Sequence, residues 1–281
     1  LSKETSILIN NWFMMYFLSV VLVGTIYPIF LDVITSEKIS VGPPFYQKLI
    51  IPFLIPFLLV MTIGPKLKWI KSDITNKFKL IIFFIISSLL SVFLIKNLKV
   101  EFLTYSVLLT FVFYLFFITL RNFFINKSGN LSQNIAHFGF SLFLLSVIFN
   151  NIFASEVITN LKVGDTYNGK DFKIYFEKLD QEKGKNFESL IGKFIIKNSN
   201  EDIQIMMPEL RIYNQPSIVT SEAFIKSNLI SDKFMTMNLV QNQSYFNIRY
   251  QIKPFMIWIW LSVIIIVIAG IISLLKKKNE N

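Results

Sequence analysis

Six stretches of this 281-residue chain are apolar over roughly the length that a lipid bilayer demands. A helix needs about 20 mostly apolar residues to cross roughly 30 Å of hydrocarbon. Residues 12–31, 48–64, 79–95, 102–120, 135–154 and 254–275 meet or approach that requirement. In lipid every backbone polar group must find its partner inside the element, so each stretch is expected to be a helix. The third is short, with Lys79 and Lys96 placed to snorkel at its two ends. The second carries Pro52 and Pro56, which packed neighbours can tolerate. Only 16% of the residues are charged, against about 25% in typical soluble domains. The expected fold class is therefore a polytopic α-helical membrane protein with six transmembrane helices.

Orientation follows from the lysines and arginines of the short loops. If the C-terminal "KKKNEN" is cytoplasmic, then Lys3, Lys66, Lys68, Lys71, Lys77, Lys79, Arg121 and Lys127 fall on the same side. The opposite short loops hold Lys38, Lys48, Lys96 and Lys99. Both termini are expected inside and residues 155–253 outside. The first residues, "LSKETSILINN", lack the short apolar core and cleavage site of a signal peptide. The chain opens on Leu1 rather than Met, so a fragment of something longer is expected.

Residues 155–253 follow a different pattern. In "YFNIRYQIK", Phe246, Ile248, Tyr250 and Ile252 alternate with Asn247, Arg249, Gln251 and Lys253. "DFKIYF" and "DIQIMM" repeat that period of two, aligning Phe172, Ile174 and Phe176, and then Ile203, Ile205 and Met207. Such alternation marks half-buried strands. The turn signals "VGDTYNGKD", "EKGKN" and "NSNED" separate them at the spacing of a small antiparallel sandwich or barrel. The expected organisation is a membrane domain over 1–154, an inserted, mostly β extracytoplasmic domain over 155–253, and a last helix with a basic tail over 254–281.

The net charge of +10 invites a nucleic-acid reading, which its distribution removes. The outer segment holds 13 basic and 12 acidic residues, so the excess lies at the rims of the apolar spans. A nucleic-acid binder gathers its charge on one folded face. There is no cysteine, hence no disulfide frame and no thiolate metal site. The abundance of Ile, Phe, Lys and Asn reads as the bias of an AT-rich genome, bacterial or organellar.

One residue stands out. His137, in "NIAHFGFSLFLLSVIFNN", is the sole histidine. An ionisable group at membrane depth is costly and usually faces a bundle interior or cavity. Its uses there are metal or haem ligation, proton relay or a helix–helix hydrogen bond. It falls in the first turn of its expected helix, where Asn134 and Ser141 share its face and could orient the ring. Bis-histidine haem ligation would need a second imidazole, which the chain lacks. Met14, Met15 and Met61 could serve instead, though methionine in a membrane helix is more often packing. Two other stretches have blander readings: "SEKISVGPPFYQK" as an anchored turn before a helix, and Glu209 and Arg211 in "MMPELRIYNQ" as a surface ion pair on an edge strand. No catalytic triad, carboxylate pair, phosphate loop or metal-spaced cluster is visible.

The blocks "LSKETSILINNWF", "VVLVGTIYPIF", "ISVGPPFYQ", "GPKLKW", "AHFGFSLFLLSVIF", "PELRIYNQ…TSEAFI" and "KPFMIWIWLSVIIIVIAG" occur in an order that resembles the C-terminal half of the CcmF family. CcmF-like proteins are haem lyase subunits of the cytochrome c maturation (System I) machinery. The resemblance implies haem transfer from the CcmE haem chaperone to apocytochrome c, with CcmH-type and CcmI-type partners. It also implies a membrane haem b held between two histidines. "NIAHFGF" matches the second of these, so His137 carries over as an axial ligand of the haem iron, shared with an N-terminal half. The family's "WWD" segment, its two outward-facing haem histidines and the other membrane histidine belong to that half. The implied location is a bacterial inner membrane or the mitochondrial inner membrane, with residues 155–253 on the periplasmic or intermembrane side. The nitrite-reductase maturation paralogue would look alike, and a permease with an outer substrate-binding domain is the reading from another class.

Overall fold

A computed structural model describes residues 2–35, 39–67, 69, 77–96, 98, 100–125, 131–198, 203–240 and 244–279. Lys38, Lys68, Lys71, Lys99, Lys127 and most of the "NSNED" turn lie outside these described residues. The chain divides into two units, Leu1–Leu145 with Leu261–Asn281, and Ser146–Trp260.

The first unit is helical. It contains α1 (Lys3–Thr35), α2 (Pro43–Ile63), a 3₁₀ turn (Gly64–Lys66), α3 (Lys77–Ile95), α4 (Phe102–Ile125), most of α5 (Leu131–Phe153) and most of α6 (Met256–Asn279). All six α-helices are long and apolar enough to cross a membrane. α2 begins with Pro43 and Pro44, five residues earlier than its apolar run suggests. Proline is pre-organised for the first helical turn, where its missing N–H costs nothing. The "GPP" stretch is thus the start of the helix.

α4 is the centre of this unit, with Leu109, Val112, Leu115 and Ile118 essentially inaccessible. It packs on α2 and α3, and α1 packs on α2. Ser91 of α3 donates to the Ser106 carbonyl of α4 at 3.0 Å and lies 3.0 Å from the Thr110 hydroxyl. Small hydroxyl residues join membrane helices in this way because apolar contact alone gives no preference over lipid. The outer faces of α1, α3 and α6 are almost wholly apolar and exposed, including Leu18, Leu22, Phe93, Ile264 and Leu274. An apolar surface of that extent requires lipid.

The second unit is a β-sandwich. One sheet runs β1 (Ser155–Leu161), β10 (Phe246–Pro254), β9 (Ser231–Leu239), β8 (Phe224–Ser227). The other runs β2 (Thr166–Asn168), β3 (Phe172–Lys183), β4 (Phe187–Asn198), β6 (Glu209–Asn214), β7 (Ser217–Glu222), with β5 (Ile203–Met206) also paired to β4. All pairings are antiparallel. Ile174, Phe176, Phe194 and Ile196 from one sheet meet Met235, Met237, Ile248 and Tyr250 from the other. Phe176 stacks on Phe194 with ring centroids 4.2 Å apart. The alternation in β3 and β10 therefore places the expected residues inward.

Two expectations fail here. In β5 the phase is reversed: Met206 is buried, while Ile203, Ile205 and Met207 are exposed. Its pairing sets Met206 opposite Phe194 and Gln204 opposite Ile196, two buried residues of β4, and a one-residue slip exchanges the faces. The strand carrying Glu209 and Arg211 is also no edge. β6 lies between β4 and β7, and Pro208 sits in the gap between β5 and β6, where its carbonyl accepts from Gly192 at 3.0 Å.

The sandwich closes onto its own chain ends. Asn150, near the end of α5, donates to the Pro254 carbonyl at 2.6 Å, and the Phe149 and Phe255 rings lie 5.5 Å apart. Phe255 has φ +62, a left-handed conformation that a bulky residue rarely adopts. It is held by its N–H to the Ile230 carbonyl at 2.7 Å, and its own carbonyl accepts the first N–H groups of α6. The strain converts a strand into a helix within one residue.

Candidate functional site

His137 lies in the second turn of α5, because the helix already begins at Leu131 with the polar run Leu-Ser-Gln-Asn. The first-turn placement expected from the apolar run is corrected accordingly. His137 and Gln133, four residues apart, share one face. That face lines a cleft of about 180 Å³. Lys3, Ser6 and Asn10 of α1 and Met61, Gly64 and Pro65 at the end of α2 complete its wall. Gly64 is needed where it stands, since a Cβ there would lie 2.6 Å from the Ser6 hydroxyl oxygen.

The imidazole has no hydrogen-bond partner among the described residues, whereas Ser141 is buried and donates to the Phe138 carbonyl at 2.8 Å. Ser141 therefore spends its proton on the backbone one turn back and does not orient the ring by donating to it. Around the histidine the packing is aromatic: Phe138 meets Phe116 at 5.3 Å and Phe123 at 5.6 Å, and Phe140 meets Phe57 at 5.9 Å. Gly139 lets α6 approach, for a Cβ there would lie 2.8 Å from Ile266 and 3.2 Å from the Ser262 carbonyl. Among the methionines, Met61 lines the histidine's cleft, while Met14 and Met15 lie exposed on α1.

Several cations expected on one side gather at this end. Lys3 lies 5.3 Å over the Trp69 ring. Lys66, in the turn beside the cleft, has its Nζ buried without a partner among the described residues. A wider cleft of about 450 Å³ lies between the starts of α2 and α4, lined by Gln47, Lys48, Glu101 and Tyr105 among others. Sequence reasoning singled out the loop that leads to Gln47 and Lys48 but had no reason to pair it with Glu101 and Tyr105. That pairing exists only once α2 packs on α4.

In the sandwich, Arg211 grips Glu209 with two hydrogen bonds of 2.8 and 2.9 Å, and Ser189 adds a third to the same carboxylate. The guanidinium beside it, then the serine hydroxyl, hold the Glu209 carboxyl below its usual range. Burial pushes the Tyr250 hydroxyl up to about 12. Neither group faces a partner suited to catalysis. No group of three or more His, Cys, Asp or Glu able to hold a metal occurs among the described residues.

The chemistry on offer is thus one imidazole without a hydrogen-bond partner among the described residues, in a cleft whose wall mixes apolar side chains with Lys3, Ser6, Asn10 and Gln133. One axial position on a haem iron needs no more than that, and the site fits it. The cleft is smaller than the roughly 300 Å³ at which ligand pockets begin, so this chain on its own encloses only part of such a group.

Residues 152–254 match the CcmF C-terminal beta-sandwich family. A cytochrome c-type biogenesis protein CcmF of Pseudomonas fluorescens is 24% identical over 292 residues, covering 99% of this chain and 44% of that protein. A solved structure named Cytochrome c Heme Lyase CcmF superposes with a TM-score of 0.72 at 16% identity, covering 96% of this chain and 45% of that one. The family match is confined to the sandwich segment, while the chain as a whole is similar to CcmF proteins in sequence and to a CcmF structure in fold. The chain spans less than half the length of the curated relatives it matches. A cytochrome c-type biogenesis protein NrfE of Haemophilus influenzae (strain Rd) is 23% identical over 289 residues, covering 100% of this chain and 46% of that protein. Both names place the relatives in cytochrome c biogenesis, and the permease reading finds no support beside them.

Proposed function

We propose that this chain acts in cytochrome c maturation as the C-terminal part of a CcmF-type haem lyase. In this reading His137 is one axial ligand of a membrane-embedded haem b. The observation that carries it is the unpartnered His137 ring lining a cleft, within a chain similar to CcmF along almost its whole length. An imidazole kept free of hydrogen-bond partners at membrane depth is costly unless something else takes its lone pair.

His137 would hold the iron through a ring nitrogen, and a second histidine ligand would come from outside this chain, which has no other histidine. Haem held there supplies reversible one-electron chemistry, at a potential set by its axial ligands and its burial. Phe116 and Phe123 pack on Phe138, the residue after the histidine, and hold that turn of α5 against α4. Gly139 keeps α6 close, which limits movement of the turn that carries the ligand. Lys3, Ser6 and Asn10 of α1 and Gln133 of α5 are the further polar side chains of these helices in the cleft and would donate to a porphyrin carboxylate there.

The same reading assigns the partners: an N-terminal half, CcmH-type and CcmI-type subunits, the haem-loaded CcmE chaperone and apocytochrome c. It sets both termini on the cytoplasmic or matrix side and the sandwich on the other. The test is the haem absorbance of the purified protein, produced with its N-terminal half, for wild type and His137→Ala. Loss or a marked shift of the haem spectrum in the variant is expected, with the α6-to-sandwich fold intact by circular dichroism. Unchanged haem content and unchanged cytochrome c assembly would overturn the assignment.

A further inference from the structure

The turns of the sandwich are not alike. Those joining β2 to β3 and β3 to β4 read Gly169-Lys170-Asp171 and Gly184-Lys185-Asn186, the polar, glycine-bearing turns that hairpins in water favour. The β8–β9 hairpin instead carries Leu229 and Ile230 at its tip, each 69% exposed. The tip is well formed: the Asn228 side chain accepts from the N–H of Ile230 at 2.9 Å and of Ser231 at 2.7 Å, and Asn228 N–H donates to the Ser231 carbonyl at 3.1 Å. Two large apolar side chains are therefore presented outward on a rigid turn.

The same two residues are tied to the start of a membrane helix. The Leu229 carbonyl accepts from the Trp258 indole at 3.0 Å, and the Ile230 carbonyl accepts from the Phe255 N–H at 2.7 Å. Residues 256–275 then run at a mean hydropathy of 2.8. Trp258 and the exposed Trp260 are amphipathic rings of the kind that settle at the membrane–water interface. The tip is thus level with the first turn of a spanning helix.

Lysines stand behind it. Lys226 is three residues before Leu229 in β8, and Lys253 lies on the next strand but one, in the register that pairs it with Asp232. Three residues of strand span roughly 10 Å. The headgroup layer on each side of the hydrocarbon is roughly 5–8 Å deep. An apolar tip at the hydrocarbon boundary would therefore bring these ammonium groups to the phosphate level, with their stems covering apolar surface.

We propose that Leu229 and Ile230 form a membrane contact: the β8–β9 tip enters the interfacial layer of the bilayer beside the start of α6, and Lys226 and Lys253 meet lipid phosphates. The contact is independent of what His137 holds.

The chain has no cysteine, which makes the test direct. Leu229→Cys, Ile230→Cys and, as the aqueous control, Lys185→Cys are each labelled with an environment-sensitive fluorophore. The intact protein is then placed in phosphatidylcholine–phosphatidylglycerol vesicles. Labels at 229 and 230 are expected to emit to the blue of the control. Quenching by a shallow nitroxide lipid should be several-fold stronger than at 185, and quenching by aqueous iodide several-fold weaker. Iodide quenching equal to the control would overturn the proposal. Protection from both quenchers would overturn it too, since the tip would then be covered by protein.

Discussion

The two units of this chain use the same kinds of side chain in opposite senses. In the sandwich, Phe176, Phe194, Ile196 and Ile248 are wholly buried, and no lysine or glutamate joins them among the described residues. In the helical unit only α4 has a buried majority, and Leu18, Leu22, Phe93 and Ile264 face outward on the other helices. The sandwich is held by water's exclusion from its core, whereas the helices are held by hydroxyls, glycines and rings that fit each other better than they fit lipid. An apolar residue thus reports which solvent its unit faces as much as it reports a core.

That contrast can be broken from either side. The largest effect should come from Phe194→Ala, which empties a stacked pair at the centre of the sandwich and should cost about 3–5 kcal/mol. Amide exchange in β3 and β4 should accelerate together, and unchanged protection would show that the core lies elsewhere. Next, Leu18→Arg on the outer face of α1 should raise the free energy of insertion by up to about 3 kcal/mol. A glycosylation-reporter insertion assay reads this directly, and insertion as efficient as wild type would mean that face is not in lipid.

A smaller effect is expected between helices. Ser91→Ala removes the α3–α4 hydroxyl contacts and should lower stability in detergent by about 0.6 kcal/mol, the average for such bonds in membranes. A loss of several kcal/mol would show that the helices depend on that polar cluster far more than on their packing. The smallest effect is a matter of pH. Glu209 titrates below its ordinary value of 4.5 in the folded sandwich, so its contribution is present above that value and fades as pH falls toward the folded one. Acid unfolding followed by strand exchange should shift in Glu209→Gln, and identical acid profiles would remove the Arg211–Glu209 pair from the account.

Much of this was legible in the chain. Six spans follow from length and hydropathy because lipid leaves a backbone no alternative to the helix. The sandwich followed from the period of two in β3 and β10. Where sequence reasoning failed, it failed at short or irregular elements. β5 has four residues, and "DIQIMM" fits either phase until pairing with β4 chooses one. Pro208 signalled an edge, but the break it makes lies between two strands that both pair with β4. The polar start of α5 was invisible to a hydropathy reading, which displaced His137 by one turn.

By itself, the sequence determined that this protein lives in a bilayer, that one inserted segment is a β domain, and that His137 is its sole histidine. Those conclusions rest on composition and local periodicity, which each residue carries with it. Only the tertiary structure decided that the His137 ring lines a cleft made by α1, α2 and α5, that Ser141 is committed to the Phe138 carbonyl, and that Leu229 and Ile230 are anchored beside the start of α6. The first and last of these depend on contacts between residues far apart in the chain, where packing geometry rather than local preference selects the neighbour, while the Ser141 bond is a local one within its own helix.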